Sequence, residues 1–254
     1  MTEITTEKKK CSKKWTAISI ASLIIVPVFV QASIINFAPA SVAQFFLSPK
    51  KLREVIEYDQ KHSQANAEKK AKKLIKSDIK DPKGNLLHTA LDPVIGNIKD
   101  PAITIVEYVD YKCGYCKKAN DEMKRILVDE KYKGKVRLII KNYPVIGGEV
   151  SLYAAEVATG FFKKHPEKFL DLHSKLFASE LKDVKQVDAI LLSFGEKGSD
   201  LKTSEITDAI VANFNFAREI QISGTPAFII GDDVITGYAT FEQISAKIDE
   251  KMKK

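Results

Sequence analysis

The fold is decided by the stretch "ITIVEYVDYKCGYCKKANDEMKRIL", residues 103–127. Its first seven residues form an apolar, largely β-branched run, which predicts a strand buried on both faces. Cys113 and Cys116 follow this run. Apolar residues then recur at helical spacing, at Ala119, Met123, Ile126 and Leu127. We therefore expect both cysteines at the first turn of a helix that directly follows the strand.

The later segments extend this strand and helix into a larger α/β unit. The run "VRLIIKNY", residues 136–143, predicts a strand parallel to the first, because strand, helix and strand in this order form a right-handed crossover. Four helical stretches follow, at 151–164, 166–178, 184–194 and 204–220. Strands at 225–230 and 233–238 and a helix at 241–251 complete the pattern. The order predicts a small sheet domain interrupted by an all-helical insertion.

Residues 1–48 are expected to be a signal peptide or a membrane anchor. Five lysines within the first 14 residues precede 35 residues without charge. A basic start before an apolar stretch is typical of a signal peptide, but this uncharged segment is long for a cleaved one. An uncleaved anchor with its basic end inside is therefore an open alternative. In both cases the rest of the chain is expected to face an oxidising, exported compartment.

Residues 49–80 are predicted to form a helical stalk or linker. From Lys50 to Lys80 the chain contains no Gly or Pro and is rich in Lys, Glu and Ala. Two interpretations stay open, a solvated linker and a stalk that associates with other copies of the chain. Residues 81–101, which are rich in Pro and Gly, are predicted to be a loop-rich connection.

The net charge of +7 does not indicate a nucleic-acid-binding protein. The excess lies in two segments, with +3 in residues 1–14 and +5 in residues 50–80. Residues 81–254 hold 25 basic and 26 acidic side chains and are close to neutral. Because binding along a phosphate backbone needs a basic surface on the folded body, we expect no nucleic-acid partner.

The spacing of the cysteine pair favours redox chemistry. A disulfide between Cys113 and Cys116 would close so small a loop that it adds little stability through chain entropy. A zinc site needs four ligands, and the chain has neither a second cysteine pair nor metal-ligand spacing among its four histidines, so no metal is expected. At a helix N-terminus, free N–H groups and the helix dipole stabilise a thiolate. Cys113 is therefore the predicted nucleophile, and Cys116 is predicted to resolve the mixed disulfide.

The order of these motifs resembles the thioredoxin superfamily, and most closely its exported DsbA-type thiol:disulfide oxidoreductases. The strand, "CGYC", the helical insertion and "SGTPAF" before a hairpin carry this resemblance over residues 94–252. With the helical N-terminal extension, "DPVIGN" is also similar to the ScsC-type subgroup. The resemblance implies an α/β thioredoxin-like fold with an inserted all-helical domain, preceded by a helical N-terminal stalk. The thioredoxin-like domain would comprise residues 102–147 and 221–254, and the insertion residues 148–220.

The resemblance also implies roles for residues outside the cysteine pair. Thr225 and Pro226 match a cis-proline loop that lies against the cysteines, where the Thr225 backbone would pair with an extended substrate. Glu107 matches a buried acid beneath the active site that would relay the proton of Cys116. Without the resemblance, Glu107 would be interpreted as a strand-end acid paired with a lysine.

Gly114 and Tyr115 separate the two cysteines and would tune the balance between thiolate and disulfide. This dipeptide differs from the Pro-His of the best-known periplasmic oxidase. With neither Pro nor His in it, we expect less stabilisation of the Cys113 thiolate and a somewhat less oxidising protein than the strongest oxidases.

The sequence thus predicts an exported thiol:disulfide oxidoreductase that introduces disulfide bonds into folding proteins. Its partners would be unfolded or folding exported proteins with thiols and a membrane redox partner of the DsbB or DsbD type; no cofactor is expected beyond the redox-active Cys113–Cys116 disulfide. The expected location is the periplasm of a Gram-negative bacterium, with the protein either soluble or tethered to the inner membrane. Two alternatives stay open. One is an isomerase or reductase that oligomerises through residues 50–80; the other is a non-catalytic thioredoxin-fold binding protein or surface antigen.

Overall fold

The computed structural model describes residues 49–80 and 87–253. Residues 1–48, expected to be a signal peptide or anchor, lie outside this described part. Among the described helices, none combines the length and the apolar character needed to cross a bilayer. The chain divides into two compact units, one ending at Ser63 and one beginning at Gln64. The first helix, α1 (Pro49–Lys80), belongs to the first unit at its start and to the second from Gln64 onward.

Five strands form one mixed sheet in the second unit. They are β1 (Val94–Gly96), β2 (Ile103–Val109), β3 (Val136–Asn142), β4 (Ala227–Ile230) and β5 (Asp233–Thr236). Their order across the sheet is β1-β3-β2-β4-β5. The central pair, β2 and β3, is parallel, and the other neighbouring strands are antiparallel. The predicted crossover is confirmed, because α2 (Gly114–Val128) joins the two parallel strands.

The predicted helical insertion lies between β3 and β4. It consists of α3 (Gly148–Lys164), α4 (Phe169–Ala178), α5 (Val184–Leu192) and α6 (Ser204–Glu219), and the chain ends with α7 (Phe241–Met252). Side-chain caps define several starts: Asp183 accepts a hydrogen bond from the Gln186 N–H, and Thr240 forms a reciprocal capping box with Gln243. The α/β fold with inserted helices is therefore confirmed.

One face of the sheet packs against α2, α7 and the inserted helices. Ile105 and Val109 of β2 lie there with Ile126 of α2, Phe161 of α3 and Ile244 of α7, all of them almost fully buried. Full burial of each such side chain stabilises the fold by about 1.5–3 kcal/mol before conformational entropy is subtracted. This core fixes the first turn of α2, and hence both cysteines, over the end of β2.

The opposite face of the sheet is covered by the C-terminal half of α1 and the end of α6. Ala71 and Ile75 of α1 are buried there beside Phe216 and Ile220. Ion pairs add to this packing: Lys72 Nζ lies 2.7 Å from Asp233 and Lys76 Nζ lies 3.1 Å from Asp232, both in the β4–β5 hairpin. The last turns of α1, from Ala71 onward, thus pack against the sheet, whereas most side chains between Gln64 and Lys70 are exposed.

The segment predicted to be a loop-rich connection, residues 81–101, contains the short strand β1. Val94–Gly96 pairs antiparallel with β3, so the sheet begins before residue 102. The segment ahead of it is held by a buried ion pair of 2.6 Å between Asp92 and Lys141 of β3. Both stabilising contacts come from residues more than 40 positions away, and a run of three residues carries too little periodicity to predict a strand.

Candidate active site

Cys113 and Cys116 lie side by side as free thiols at the start of α2. Cys113 is the N-cap residue and Cys116 lies in the first turn, because the β2 strand ends at Val109 and a short turn leads into the helix. Cys113 is 5% exposed and Cys116 is completely buried. Only Cys113 is therefore reachable from outside without a change in structure.

Several donors around the Cys113 sulfur lower the pKa of this thiol to about 5. The largest contribution is a hydrogen bond from the Cys116 side chain, and the backbone N–H groups of Cys116 and Tyr115 add to it. Burial acts in the opposite direction but is outweighed. These backbone donors are the unpaired N–H groups of the helix start, so the predicted cause of activation operates here. At neutral pH Cys113 is a thiolate.

Cys116 has the opposite chemistry. Burial raises its pKa far above the ordinary range, and its hydrogen bond to Cys113 raises it further. Since a thiol that keeps its proton is a poor nucleophile, Cys116 cannot compete with Cys113 for a first attack. The two sulfurs are thus divided into one nucleophile and one proton-bearing partner within hydrogen-bond distance.

The loop before β4 closes over the nucleophile. The Thr225–Pro226 peptide bond is cis. The carbonyl oxygen of Thr225 lies 3.3 Å from Cys113 Sγ, close enough to accept a hydrogen bond from the thiol. In the part of the chain that the structure describes, the buried Thr225 hydroxyl makes no hydrogen bond, yet it is among the groups that lower the Cys113 pKa. The Thr225 hydroxyl is therefore free to donate a hydrogen bond to the Cys113 thiolate.

Glu107 of β2 is buried on the same face of the sheet as the cysteines. Side chains alternate along a strand, and its neighbours Ile105 and Val109 belong to the core that contains Cys116. Burial raises the pKa of Glu107 to about 8, and its Oε1 atom has no hydrogen-bond partner among the described residues. Within residues 49–80 and 87–253, no salt bridge to Glu107 is found, and burial is the cause of its raised pKa. Glu107 is protonated at neutral pH.

The dipeptide between the cysteines is on the surface. A side chain at Gly114 would meet no atom within 4 Å, so nothing in its surroundings requires a glycine. Tyr115 is exposed, and its ring lies 6.3 Å from that of Tyr238, while Lys118 Nζ lies 5.3 Å from the Tyr115 ring centroid. The dipeptide thus contributes an aromatic surface beside the thiol.

Two residues that support the turn before Cys113, His173 and Asp110, could not be identified from the sequence. The Tyr111 hydroxyl and His173 Nδ1 of α4 lie 2.9 Å apart in a hydrogen bond, and burial lowers the pKa of His173 to about 3. His173 is therefore neutral and joins the insertion to the active-site turn. Asp110 is the second such residue, a buried carboxylate directly after β2. Neither residue belongs to a motif, so only the folded structure shows them.

Among the described residues, no three His, Cys, Asp or Glu side chains gather as a metal site.

A thioredoxin-type sheet, a helix that begins at a CGYC pair with a stabilised thiolate, and a cis-proline loop against that thiolate together define a thiol:disulfide oxidoreductase. The comparison with protein families agrees. Residues 88–250 match the family described as thioredoxin, and the chain belongs to this family.

Individual relatives support the same class. Disulfide bond formation protein D of Bacillus subtilis is 26% identical over 174 residues, which are 63% of this chain and 77% of that protein. The catalytic domain of Proteus mirabilis ScsC superposes with a TM-score of 0.63 at 28% identity, covering 72% of this chain and 99% of that chain. A periplasmic thioredoxin-like protein from Salmonella enterica serovar Typhimurium superposes with a TM-score of 0.57 at 32% identity, covering 66% and 94%. These similarities support thiol–disulfide exchange over a non-catalytic binding role.

The donors around Cys113 predict an order of pKa values among variants. Cys116→Ala removes the largest stabilising donor, so the Cys113 pKa should rise from about 5 toward its ordinary value of 9. Thr225→Val removes only the Thr225 hydroxyl and should raise the Cys113 pKa less than Cys116→Ala does. Ultraviolet absorbance of the thiolate during pH titration measures both shifts, with the exposed Thr236→Val as a matched control. A Cys113 pKa unchanged in Cys116→Ala would contradict this assignment.

Glu107 predicts a pH dependence of stability. Its pKa is about 8 in the folded protein and has the ordinary value of 4.5 in the unfolded chain, so between these pH values the unfolded chain releases a proton that the folded chain retains. Stability from this residue is thus complete below pH 4.5 and is lost as pH rises toward 8, at about 1.4 kcal/mol per pH unit. The free energy of unfolding of the reduced protein, measured with a denaturant at pH 5 and at pH 7.5, should decline less in Glu107→Gln than in wild type. The exposed Glu180→Gln should keep the wild-type decline, and equal declines in all three proteins would refute the assignment.

Proposed function

We propose that the protein is a disulfide donor, which passes the Cys113–Cys116 disulfide to thiols of exported proteins as they fold. The observation that carries this proposal is the stabilised Cys113 thiolate, with a pKa of about 5. Whatever stabilises the thiolate stabilises the reduced pair relative to the disulfide, so the disulfide becomes a stronger oxidant. The value lies between the pKa of about 7 for thioredoxin and about 3.5 for DsbA. It supports an oxidant somewhat weaker than DsbA.

The chemistry of donation follows from the unequal sulfurs. A client thiolate attacks Cys113 of the disulfide, the Cys113–Cys116 bond breaks, and Cys116 leaves as a thiolate that must take up a proton. A second client thiolate then attacks the client sulfur of the mixed disulfide, and Cys113 leaves as a stable thiolate. The client has lost two electrons to the cysteine pair. Because its low pKa makes Cys113 a good leaving group, the second step favours product release.

Glu107 is suited to supply the proton that Cys116 needs. It is protonated at neutral pH because its pKa is about 8, and it lies on the face of the sheet that carries Cys116. A neutral buried acid with an unpartnered oxygen can give a proton to a thiolate formed in the same core. In the reverse direction, its carboxylate would remove the proton from Cys116. Glu107 would thus act as a proton relay.

Thr225 and Pro226 are proposed to bind the client backbone. The Thr225 carbonyl already points at Cys113 Sγ from 3.3 Å. A client segment that becomes joined to Cys113 must therefore pass alongside this loop, where backbone hydrogen bonds orient it without reading its sequence. Such pairing suits a protein that acts on many clients.

A donor must be reoxidised after each cycle, and we propose a membrane oxidant of the DsbB type for this step. An exported location is supported by the basic and apolar N-terminal sequence and by the periplasmic relative from Salmonella enterica. Two cysteines would remain in the exported part of the chain, both in the active site.

A second candidate, an oligomeric isomerase kept reduced by a DsbD-type partner, is favoured by the first unit. There α1 exposes two large apolar side chains, Ile56 and Tyr58, at 46% and 65%. Because they are two positions apart, they lie on different sides of the helix, and each offers a separate apolar contact point for other copies of the chain. An assembly would hold several active sites around one misfolded client.

Donor activity is tested with a reduced, unfolded protein that has several cysteines, incubated with a catalytic amount of this protein and an excess of glutathione disulfide. Wild type should accelerate disulfide formation, and Cys113→Ser should abolish the acceleration. Cys116→Ser should accumulate a mixed disulfide with the client, visible as a band that a reductant removes. Acceleration that persists in Cys113→Ser would disprove the proposal.

Truncation separates the two candidates. A chain of residues 64–254 keeps the buried Ala71 and Ile75 and should fold and retain donor activity. If residues 49–63 assemble the protein, the 64–254 chain should be monomeric by light scattering and should lose activity on scrambled disulfides. The 49–254 chain should then be oligomeric and should keep that activity. If the 49–254 chain is monomeric and has the same activity on scrambled disulfides as the 64–254 chain, the assembly is ruled out. Removing residues up to 80 is no substitute, because it also removes Ile75 from the core.

A further inference from the structure

We propose that Lys112, Lys117 and Lys118 form a cationic rim around Cys113, which selects client segments with acidic residues next to the reacting cysteine. This inference rests on the proposed donor function, in which a client thiolate attacks Cys113 and Cys116 leaves. It names the class of client that the site prefers, an acidic peptide segment that carries a thiol.

The three lysines stand next to the nucleophile in the chain. Lys112 immediately precedes Cys113, and Lys117 and Lys118 directly follow Cys116 in α2. The Lys117 N–H donates a hydrogen bond to the Cys113 carbonyl at 3.1 Å, so this lysine lies one helical turn from the nucleophile. All three lysines are exposed, whereas Cys113 is almost buried. A molecule that approaches the sulfur therefore comes within range of their charges.

The side chains of the rim have three different neighbours. A Cβ atom on Gly147 would fall 2.2 Å from the side chain of Lys112, so this lysine packs against the loop between β3 and α3. Lys117 Nζ donates to the last carbonyl of α4 at 3.4 Å. Lys118 Nζ lies 5.3 Å from the centroid of the Tyr115 ring. The positive charge is thus distributed around the first turn of α2.

The charge of the rim is available to a partner. In residues 49–80 and 87–253, no carboxylate forms an ion pair with any of the three lysines. The two acids of α2 are paired with other cations: Asp121 lies 3.9 Å from Lys124, and Glu122 lies 2.6 Å from Arg125. Three positive charges therefore remain beside the nucleophile.

Asp110 lies beside the rim, but its carboxylate is buried and is stabilised where it stands. Its Oδ1 accepts hydrogen bonds from the Lys112 N–H at 2.8 Å and from the Ser151 hydroxyl at 2.6 Å. Its Oδ2 accepts one from the Ile146 N–H at 2.7 Å. Three donors to one carboxylate hold its charge locally. An approaching molecule meets the exposed lysines and not this carboxylate.

Charge complementarity identifies the partner. The mixed disulfide joins the client cysteine to Cys113, so client residues next to that cysteine lie against the rim. Exposed charges attract one another within about one Debye length, which is about 10 Å at 0.1 M ionic strength. Opposite charges speed an encounter and like charges slow it. An acidic flank therefore raises the rate at which a client thiolate attacks Cys113, and a basic flank lowers it.

The test measures the rates at which reduced cysteine peptides react with the oxidised protein. Three peptides of equal length are compared, with acidic, basic and neutral flanks. The quantity of interest is the rate constant for the acidic peptide divided by that for the basic peptide. Dividing this ratio in each variant by the wild-type ratio cancels the difference in intrinsic reactivity between the two peptide thiols.

We expect Lys112→Gln and Lys118→Gln each to lower the ratio by about two- to fivefold at 0.1 M ionic strength, the effect of removing one exposed attractive charge. The effect should shrink at about 1 M, where the Debye length is only about 3 Å. Lys118→Arg keeps the charge and should keep the wild-type ratio, so the loss in Lys118→Gln would follow from charge and not from side-chain packing.

Lys133→Gln is the matched control. It removes the same charge from an exposed lysine beyond the C-terminal end of α2, and the 15 residues of that helix span about 22 Å. This distance exceeds the Debye length at 0.1 M, so the ratio should stay at the wild-type value. An equal fall in Lys133→Gln would trace the preference to net charge and would overturn the rim.

An unchanged ratio in both Lys112→Gln and Lys118→Gln would also overturn the rim. The donor function would then stand, since the neutral peptide reports that function separately. Failure of the wild-type disulfide to react even with the neutral peptide would overturn the donor function and the rim with it. If the ratio is unchanged but Lys118→Gln abolishes binding to vesicles of anionic phospholipid, the lysines serve a membrane surface and the assignment to clients is wrong.

Discussion

The hydrogen bond from the Cys116 thiol to the Cys113 sulfur is the interaction on which the rest of the site depends. It lowers the pKa of Cys113 and raises that of Cys116, so two chemically identical groups become a nucleophile and a proton-bearing partner. Neither effect would arise in an unfolded chain, because both need the first turn of α2 and the buried surroundings of Cys116. The fold holds this pair at the end of a central strand, between a sheet face packed with apolar residues and a loop with a cis proline.

Three other groups act on the pair from fixed positions. Thr225 places its carbonyl oxygen 3.3 Å from Cys113 Sγ, and its buried hydroxyl is among the groups that lower the Cys113 pKa. Glu107 remains protonated in the core and matches the proton need of Cys116. Asp110 connects the cysteine turn to a neighbouring loop through a carboxylate with three donors. Of the three, Thr225 and Asp110 contact Cys113 directly, through the Thr225 carbonyl and the Asp110 backbone carbonyl.

Sequence predicted the parts of this structure that depend on local pattern. The strand at 103–109 and the helix after the cysteines follow from β-branched and helical periodicity, and the structure has the strand with the same bounds. Strand β1 could not be predicted in this way, because it is three residues long and is held by β3 and by a buried ion pair between Asp92 and Lys141. The burial of Ile75 escaped prediction because lysines surround it in the sequence. Asp110 was missed since a single Asp after a strand is an ordinary turn residue, and its partners are 36 and 41 positions away.

The central claim is that stabilisation of the Cys113 thiolate makes the disulfide a donor. Equilibration of residues 64–254 with graded glutathione buffers, followed by alkylation of free thiols, measures the ratio of reduced to oxidised pair directly. The account predicts a pair that stays reduced until the buffer is strongly oxidising, with a disulfide more oxidising than that of thioredoxin. A pair that stays oxidised in reducing buffers would contradict it and would favour a protein driven by a reductant.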